Sequence, residues 1–248
     1  MGDHNDQFNS KGRNVCLDAG DNCVISVDWS ALTPTNCFNQ SARNTPVVGN
    51  CTANLIVTIM SCTSISSDQF NVKGFSFGAR ICEWVAQRLK PNGIKLERMT
   101  KIEPSKRFPG DSFVPQDSSS QQNSTDAKWV DCHHTASGFR SQIEPCGHAD
   151  CYWNNGQSQP ICAGLDNNAF YDHACSHVVG YEYYWSSYNY PFLGRKCEYD
   201  DGLPLENCTT ETVRAGWFMP NGTVGQYNVS TALMPQNLIN QMNRTVLC

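Results

Sequence analysis

Apolar and polar positions alternate along this chain in two different periods. From Asn22 to Trp29 the residues NCVISVDW form a short run rich in β-branched side chains, which predicts a buried strand. Between Asn44 and Met60, Val47, Val48, Cys51, Leu55, Ile56 and Ile59 recur in steps of three and four, the period of a helix. Phe70 to Gly74 is a second short strand, and it runs into the sharp turn of GFSFG. Phe77 to Leu89 returns to helical spacing, with Ile81, Trp84, Val85 and Leu89 on one face. Leu96 to Ile102 is a third strand. The order β-α-β-α-β predicts a parallel sheet covered by helices.

Further along, DSSSQQNSTD within residues 111–126 predicts an exposed loop. Trp129 to His133 and His148 to Trp153 suit two more strands. HVVGYEYYWSSY, from His177 to Tyr188, reads as an aromatic-rich helix. The tail after Cys197 is rich in turn residues and carries weak structural signals. No internal repeat and no linker to a second unit is visible, so one domain over residues 1–248 is expected.

Composition narrows the function classes. Hydrophobic residues make up 40% and charged residues 17%, which excludes wholesale disorder. The formal net charge is −5 with no long run of one sign, so a nucleic-acid partner, which needs a basic face, is not expected. There are fourteen cysteines and no C-x-x-C pair, which argues for disulfides over a metal site, and no metal or cofactor is expected. Sequons stand at Asn39, Asn50, Asn123, Asn207, Asn221, Asn228 and Asn243. Together with the cysteines they point to a secreted, disulfide-bonded glycoprotein. The opening MGDHNDQFNSKGRN is polar and has no apolar h-region. No run approaches the ~18 apolar residues of a membrane span, so no transmembrane segment is expected.

Candidate chemistry centres on Gly74-Phe75-Ser76-Phe77-Gly78, a G-x-S-x-G pattern between a predicted strand and a predicted helix. In a nucleophile elbow the serine sits on a tight turn, and the glycines permit close approach of neighbouring elements. The same residues also fit a glycine-rich turn around a buried serine. A serine nucleophile needs a base, and the base needs an acid, in the chain order Ser, Asp/Glu, His. Glu103, at the end of the third strand and followed by Pro104, suits the acid. His177 opens the aromatic helix and suits the base. His133, His134 and His148 read as structural, and His4 and His173 as exposed loop residues.

Several motifs in order resemble the animal pancreatic-lipase family, which includes insect lipases and phospholipase A1 enzymes. Cys23 to Trp29 resembles the family strand that ends in Val-Asp-Trp, and Gly74 to Ala79 resembles Gly-His-Ser-Leu-Gly-Ala. Trp129-Val130-Asp131 with His134-Thr135 resembles Phe-Val-Asp-x-x-His-Thr. Gly147 to Gly156, followed by Gln159-Pro160-Ile161-Cys162, resembles Gly-His-x-Asp-Phe-Tyr-Pro-Asn-Gly-Gly and then Gln-Pro-Gly-Cys. Cys175-Ser176-His177 with Tyr181 to Tyr184 is similar to the segment that carries the family's catalytic histidine. Pro191 to Cys197 resembles the stretch after it. The likeness covers about Cys16 to Cys208.

This resemblance implies an α/β-hydrolase fold and a triad of Ser76, Glu103 and His177, with the Phe77 backbone N–H as one oxyanion donor. It implies the pairs Cys16–Cys23, Cys162–Cys175 and Cys197–Cys208. It also implies a secreted serine esterase acting on acyl esters of lipids, phospholipase A1-like or triacylglycerol lipase. The alternative is an inactive lipase-like protein that binds lipid or another ligand. The implied partner is a lipid substrate or lipid–water interface. Neither a lipid-binding β-sandwich after Cys248 nor colipase is expected. The chain departs from the pattern at Glu103, where the family has Asp, and at Phe75, Phe77 and Arg80. The family's second oxyanion donor falls near Met1-Gly2-Asp3, so the first strands of the sheet are expected to precede residue 1. Only 12 residues separate Cys162 from Cys175, implying a short lid of the kind that goes with phospholipase A1 activity.

Overall fold

A computed structural model of the chain describes residues 2–20, 23–34, 37–106, 124–166, 173–200 and 202–246. Parallel pairing forms its centre. Strands β1 (Asn71–Phe75), β2 (Arg98–Ile102), β3 (Trp129–His134) and β4 (Ala149–Trp153) lie side by side, each parallel to the next. The full order is β1-β2-β3-β4-β7-β5-β6, with β5 Leu193–Cys197, β6 Thr212–Arg214 and β7 Gly225–Val229. β7 is parallel to β4, and β5 is antiparallel to both β7 and β6.

Helices cover both faces, as a parallel sheet requires. On one face α3 (Phe77–Leu89) packs Cys82 and Ala86 against Met99, Val130 and Cys132. On the other, α4 (Ala174–Ser186) packs Val179 and Tyr183 against Trp129, Cys151 and Trp153. β3 is buried along its whole length, and alternate residues serve the two faces.

α2 (Phe38–Cys62) lies outside α3, with Gly49 against Trp84; a Cβ there would stand 2.3 Å from the Trp84 Cβ. It begins six residues before the expected Asn44 and runs through Pro46. Proline has no N–H for the carbonyl four residues back. The Thr45 hydroxyl donates to that carbonyl, of Ala42, at 2.8 Å, so the helix continues.

Three further differences from the sequence reading have physical causes. Residues 23–29 form no strand, and Ile25 is 50% exposed. An extended propensity becomes a strand only beside a ladder partner. Here Val27 and Trp29 pack on the α2–α3 cluster, and the Trp29 N–H donates to Gly2 O at 2.8 Å. The polar N-terminus forms α1 (Gln7–Asp18), capped by the Asp6 side chain, which accepts from the Asn9 N–H at 2.9 Å. α1 docks on α4: Lys11 reaches both carboxylate oxygens of Glu182, and a Cβ on Gly12 would stand 2.8 Å from the Trp185 ring. The tail supplies β6, β7 and α5 (Gln236–Val246), none of which the sequence pattern marked.

Disulfides join Cys132 to Cys146, Cys162 to Cys175 and Cys197 to Cys208. The Cys16–Cys23 bond does not form. Cys16 is on the buried face of α1, whereas Cys23 is exposed. Of the sequon asparagines, Asn39, Asn50, Asn207 and Asn221 are exposed. Asn228 lies in β7, and its Nδ2 donates to Asn155 Oδ1 at 2.7 Å. Asn123 and the side chain of Asn243 lie outside the described residues.

Candidate active site

The carboxyl ends of β1 and β2 and the first turn of α4 converge on one point. β1 ends at Phe75 and α3 begins at Phe77, so the whole reversal falls on Ser76, at φ 56° and ψ −118°. Such a backbone state costs roughly 1–3 kcal/mol and must be held by its surroundings. The holding contacts are close. A Cβ on Gly74 would stand 2.2 Å from the Gly78 carbonyl oxygen, so glycine is required there. The Ser76 N–H donates to Ile102 O at 2.9 Å, which ties the turn to the end of β2.

Glu103 follows β2 directly and also has positive φ, 49°. Its N–H donates to His133 O at 2.8 Å, so the end of β3 fixes its backbone. The side chain is fully buried. Oε1 accepts from the backbone N–H groups of Thr135 and Ala136, the latter at 3.0 Å. Oε2 faces His177 Nδ1 at 2.8 Å, and His177 Nε2 faces Ser76 Oγ at 2.9 Å. A carboxylate only accepts, so Nδ1 carries the proton and Nε2 is left to accept from the serine hydroxyl. Residues separated by 101 and 74 positions thus form one hydrogen-bonded chain. Ser76 itself is partly exposed.

Phe77, next in sequence, opens α3. Its N–H belongs to the first turn, where no carbonyl lies a turn back to accept it. Phe75 packs against the His177 imidazole with ring centroids 4.8 Å apart and meets Tyr181 edge-on at 5.0 Å.

Gly180 lies one turn after His177. A Cβ there would stand 2.7 Å from Glu103 Cγ and 2.8 Å from Thr135 Oγ1. A glycine inside a helical pattern was the available sequence signal. Alanine favours helix over glycine by about 1 kcal/mol. Gly180→Ala should nevertheless lower the melting temperature, because the methyl group meets the carboxylate arm. An unchanged or higher melting temperature would show that the arm can move aside freely.

The remaining histidines and cysteines do other things. His133 Nε2 lies 3.0 Å from Asp131 Oδ2 and His134 Nε2 lies 2.9 Å from Asp150 Oδ1, all of them buried. The His148 Nδ1 accepts from the Val130 N–H at 3.0 Å. His4 is exposed, but His173 is buried against the Phe139 ring at 3.5 Å. Cys132, His134, Cys146 and Asp150 come together, yet the disulfide between the two cysteines removes the thiolates a metal would use. Burial pushes the Cys82 thiol up to about 12 and that of Cys151 well above its ordinary value, so neither is an activated nucleophile.

The profile of the family described as Lipase matches residues 2–210. The chain belongs to the lipase family. The mostly parallel sheet and the turn at Ser76 accordingly represent an α/β-hydrolase fold. Among curated relatives, this lipase-family chain is 28% identical over 177 residues to phospholipase A1 VesT1.02 of Vespa tropica, covering 68% of this chain and 56% of that protein. It is 27% identical over 271 aligned positions to pancreatic lipase-related protein 2 of Homo sapiens, covering 91% and 56%. It is 30% identical over 197 residues to lipase member H-A of Xenopus laevis, covering 78% and 41%. The chain spans about half the length of the curated relatives it matches.

Proposed function

We propose that this chain is a secreted serine hydrolase that cleaves acyl esters of lipids, with Ser76 as nucleophile, His177 as base and Glu103 as the orienting acid. The unbroken path Ser76 Oγ–His177 Nε2, His177 Nδ1–Glu103 Oε2 carries this reading. Ser76 Oγ attacks the ester carbonyl carbon while its proton passes to His177 Nε2. The oxyanion faces the Phe77 N–H. The carbon–oxygen bond to the alcohol then breaks, and the imidazolium returns its proton to the leaving oxygen. Water repeats the sequence on the acyl-enzyme and releases the fatty acid. Glu103, facing Nδ1, balances the imidazolium charge. An inert lipase-like binder would have no need to keep this path or the strained turn at Ser76.

Phospholipid cleaved at the sn-1 position is the favoured substrate. The Cys162–Cys175 disulfide closes a loop with 12 residues between its ends, too short to bury the serine under a long amphipathic cover. Of that loop, residues 163–166 are described; Leu165 is 43% exposed, and 167–172 lie outside the described residues. The phospholipase A1 and lipase names of the relatives support lipid esters as the substrate class.

A fluorophosphonate probe should label the protein, and peptide mapping should place the adduct on Ser76. Micellar and monomeric phosphatidylcholine should be hydrolysed at comparable rates, and emulsified triglyceride more slowly. A sharp rate jump at a triglyceride surface, with no attack on phospholipid, would refute the loop-length argument. Absence of labelling, with binding to lipid vesicles, would refute the catalytic reading itself.

A further inference from the structure

Arg80 lies on the first turn of α3, one helical turn after Ser76, and its side chain is buried. Its guanidinium makes a two-point contact with a single backbone atom. Nε donates to Ser105 O at 2.8 Å and Nη2 donates to the same oxygen at 2.5 Å. Nη1 donates to Glu83 Oε2 at 3.3 Å, so the cation has a buried counter-charge on its own helix. Ser105 is two residues after Glu103. We infer that Arg80 is a positioning residue for Glu103, tying the helix that starts at the nucleophile to the turn that carries the acid.

This inference rests on the triad proposed above and adds a part to it. A glutamate arm has one more rotatable bond than an aspartate arm, so it has more ways to miss the imidazole. Here both ends of the arm are anchored. The Thr135 and Ala136 N–H groups hold the carboxylate tip. Arg80 holds the backbone just beyond the root, where Glu103 keeps a positive φ that a residue with a Cβ adopts only under constraint. The Gln142 N–H donates to Pro104 O at 3.0 Å, a second tie on the same turn. A planar guanidinium can place two donors on one carbonyl in a fixed direction; a lysine ammonium supplies a single mobile point charge.

The test uses Arg80→Lys and the double variant Arg80→Gln/Glu83→Gln, which removes the cation and the counter-charge on its own helix together. Hydrolysis of p-nitrophenyl butyrate, the rate of fluorophosphonate labelling and thermal melting are measured for each. The double variant should lose about 100-fold in kcat, the scale of a ~1 Å misplacement, with KM within about two-fold. Labelling should slow in parallel, and Arg80→Lys should fall between. In a Glu103→Gln background the same double change should cost less than about two-fold, because the residue it acts through is already gone. A folded double variant with wild-type kcat would overturn the inference, as would an equal loss in both backgrounds. If the wild-type protein neither turns over nor labels, the hydrolase reading fails first. The inference is then decided by proton NMR. A downfield Nδ1–H signal of His177 that is present in the wild type should broaden or vanish in the double variant; its persistence would overturn the inference.

Discussion

Ser76→Ala should lower ester turnover by about 10⁴-fold or more, the loss expected when a nucleophile that acts as a unit with its base is removed. Stability should change little. The alanine takes over the same strained turn, and the lost hydroxyl made its contact at a partly exposed point where water can replace it. A melting temperature within about 2 °C of wild type, corresponding to roughly 0.5 kcal/mol, is therefore expected. The companion Glu103→Gln change separates orientation from charge. The Gln Oε1 can go on accepting from Thr135 and Ala136, so its amide nitrogen must face His177 Nδ1. That nitrogen donates, which forces the proton onto Nε2 and leaves nothing to accept from the serine. Turnover should fall by about 10⁴-fold through the wrong tautomer alone. Hydrolysis by Ser76→Ala at the wild-type rate would remove the serine from the mechanism. A collapse of the Glu103→Gln fold would make the carboxylate structural.

Arg98→Met should destabilise the protein by about 3–5 kcal/mol, because it breaks a buried ion pair by removing one partner. Asp131 has no solvent exposure. Arg98 donates to it through Nε at 3.0 Å and Nη2 at 2.9 Å, the Thr100 hydroxyl donates at 2.8 Å, and His133 lies at 3.0 Å. Arg98 also donates to Trp217 O and Gly216 O, at 3.1 and 3.2 Å, and stacks over the Trp129 ring. Burial alone would raise the Asp131 carboxyl, but the charge of Arg98 and the hydrogen bonds from His133 and Arg98 together outweigh it and hold the group well below the usual carboxylate range. The pair therefore stabilises the wild type fully above the unfolded carboxyl value near pH 4, and that contribution fades as pH falls further. In Arg98→Met the balance reverses. A buried carboxyl without its cation binds a proton more tightly folded than unfolded, so the variant should lose most at neutral pH and recover toward pH 4. Urea unfolding at pH 7 and pH 4 measures both signs. A loss below about 1 kcal/mol at pH 7, or no recovery at low pH, would rule out this account. The pair also bears on the site, since His133, bonded to Asp131, offers the carbonyl that holds the Glu103 N–H.

Local patterning along the chain determined a large part of this architecture. The switch between two- and four-residue periods marks β1 to β4 and α2 to α4 because each element buries one face or both, and its residues record that directly. The positions of Gly74 and Gly78 around Ser76, and of Glu103 between the third predicted strand and Pro104, are equally local. The sequence could therefore nominate the serine, the acid and the histidine, and their order along the chain. What it could not supply were the partners across space. Residues 23–29 have strand-like side chains but no adjacent edge to bond to. β7 follows a run of turn residues yet pairs between β4 and β5. α1 carries only a sparse apolar stripe, Phe8, Gly12, Val15 and Cys16, among polar residues, and is held by it and by Lys11 against side chains of α4 and Phe75. Arg80 stands out in sequence only as a departure from a family pattern; its contact with Ser105, 25 residues on, exists only once two strand ends meet. Period and turn chemistry are properties of neighbours in sequence, and so they are legible there. Pairing, burial of charge and the 2.8–2.9 Å spacing from Glu103 through His177 to Ser76 depend on chain segments brought together by packing, which only the tertiary structure decides.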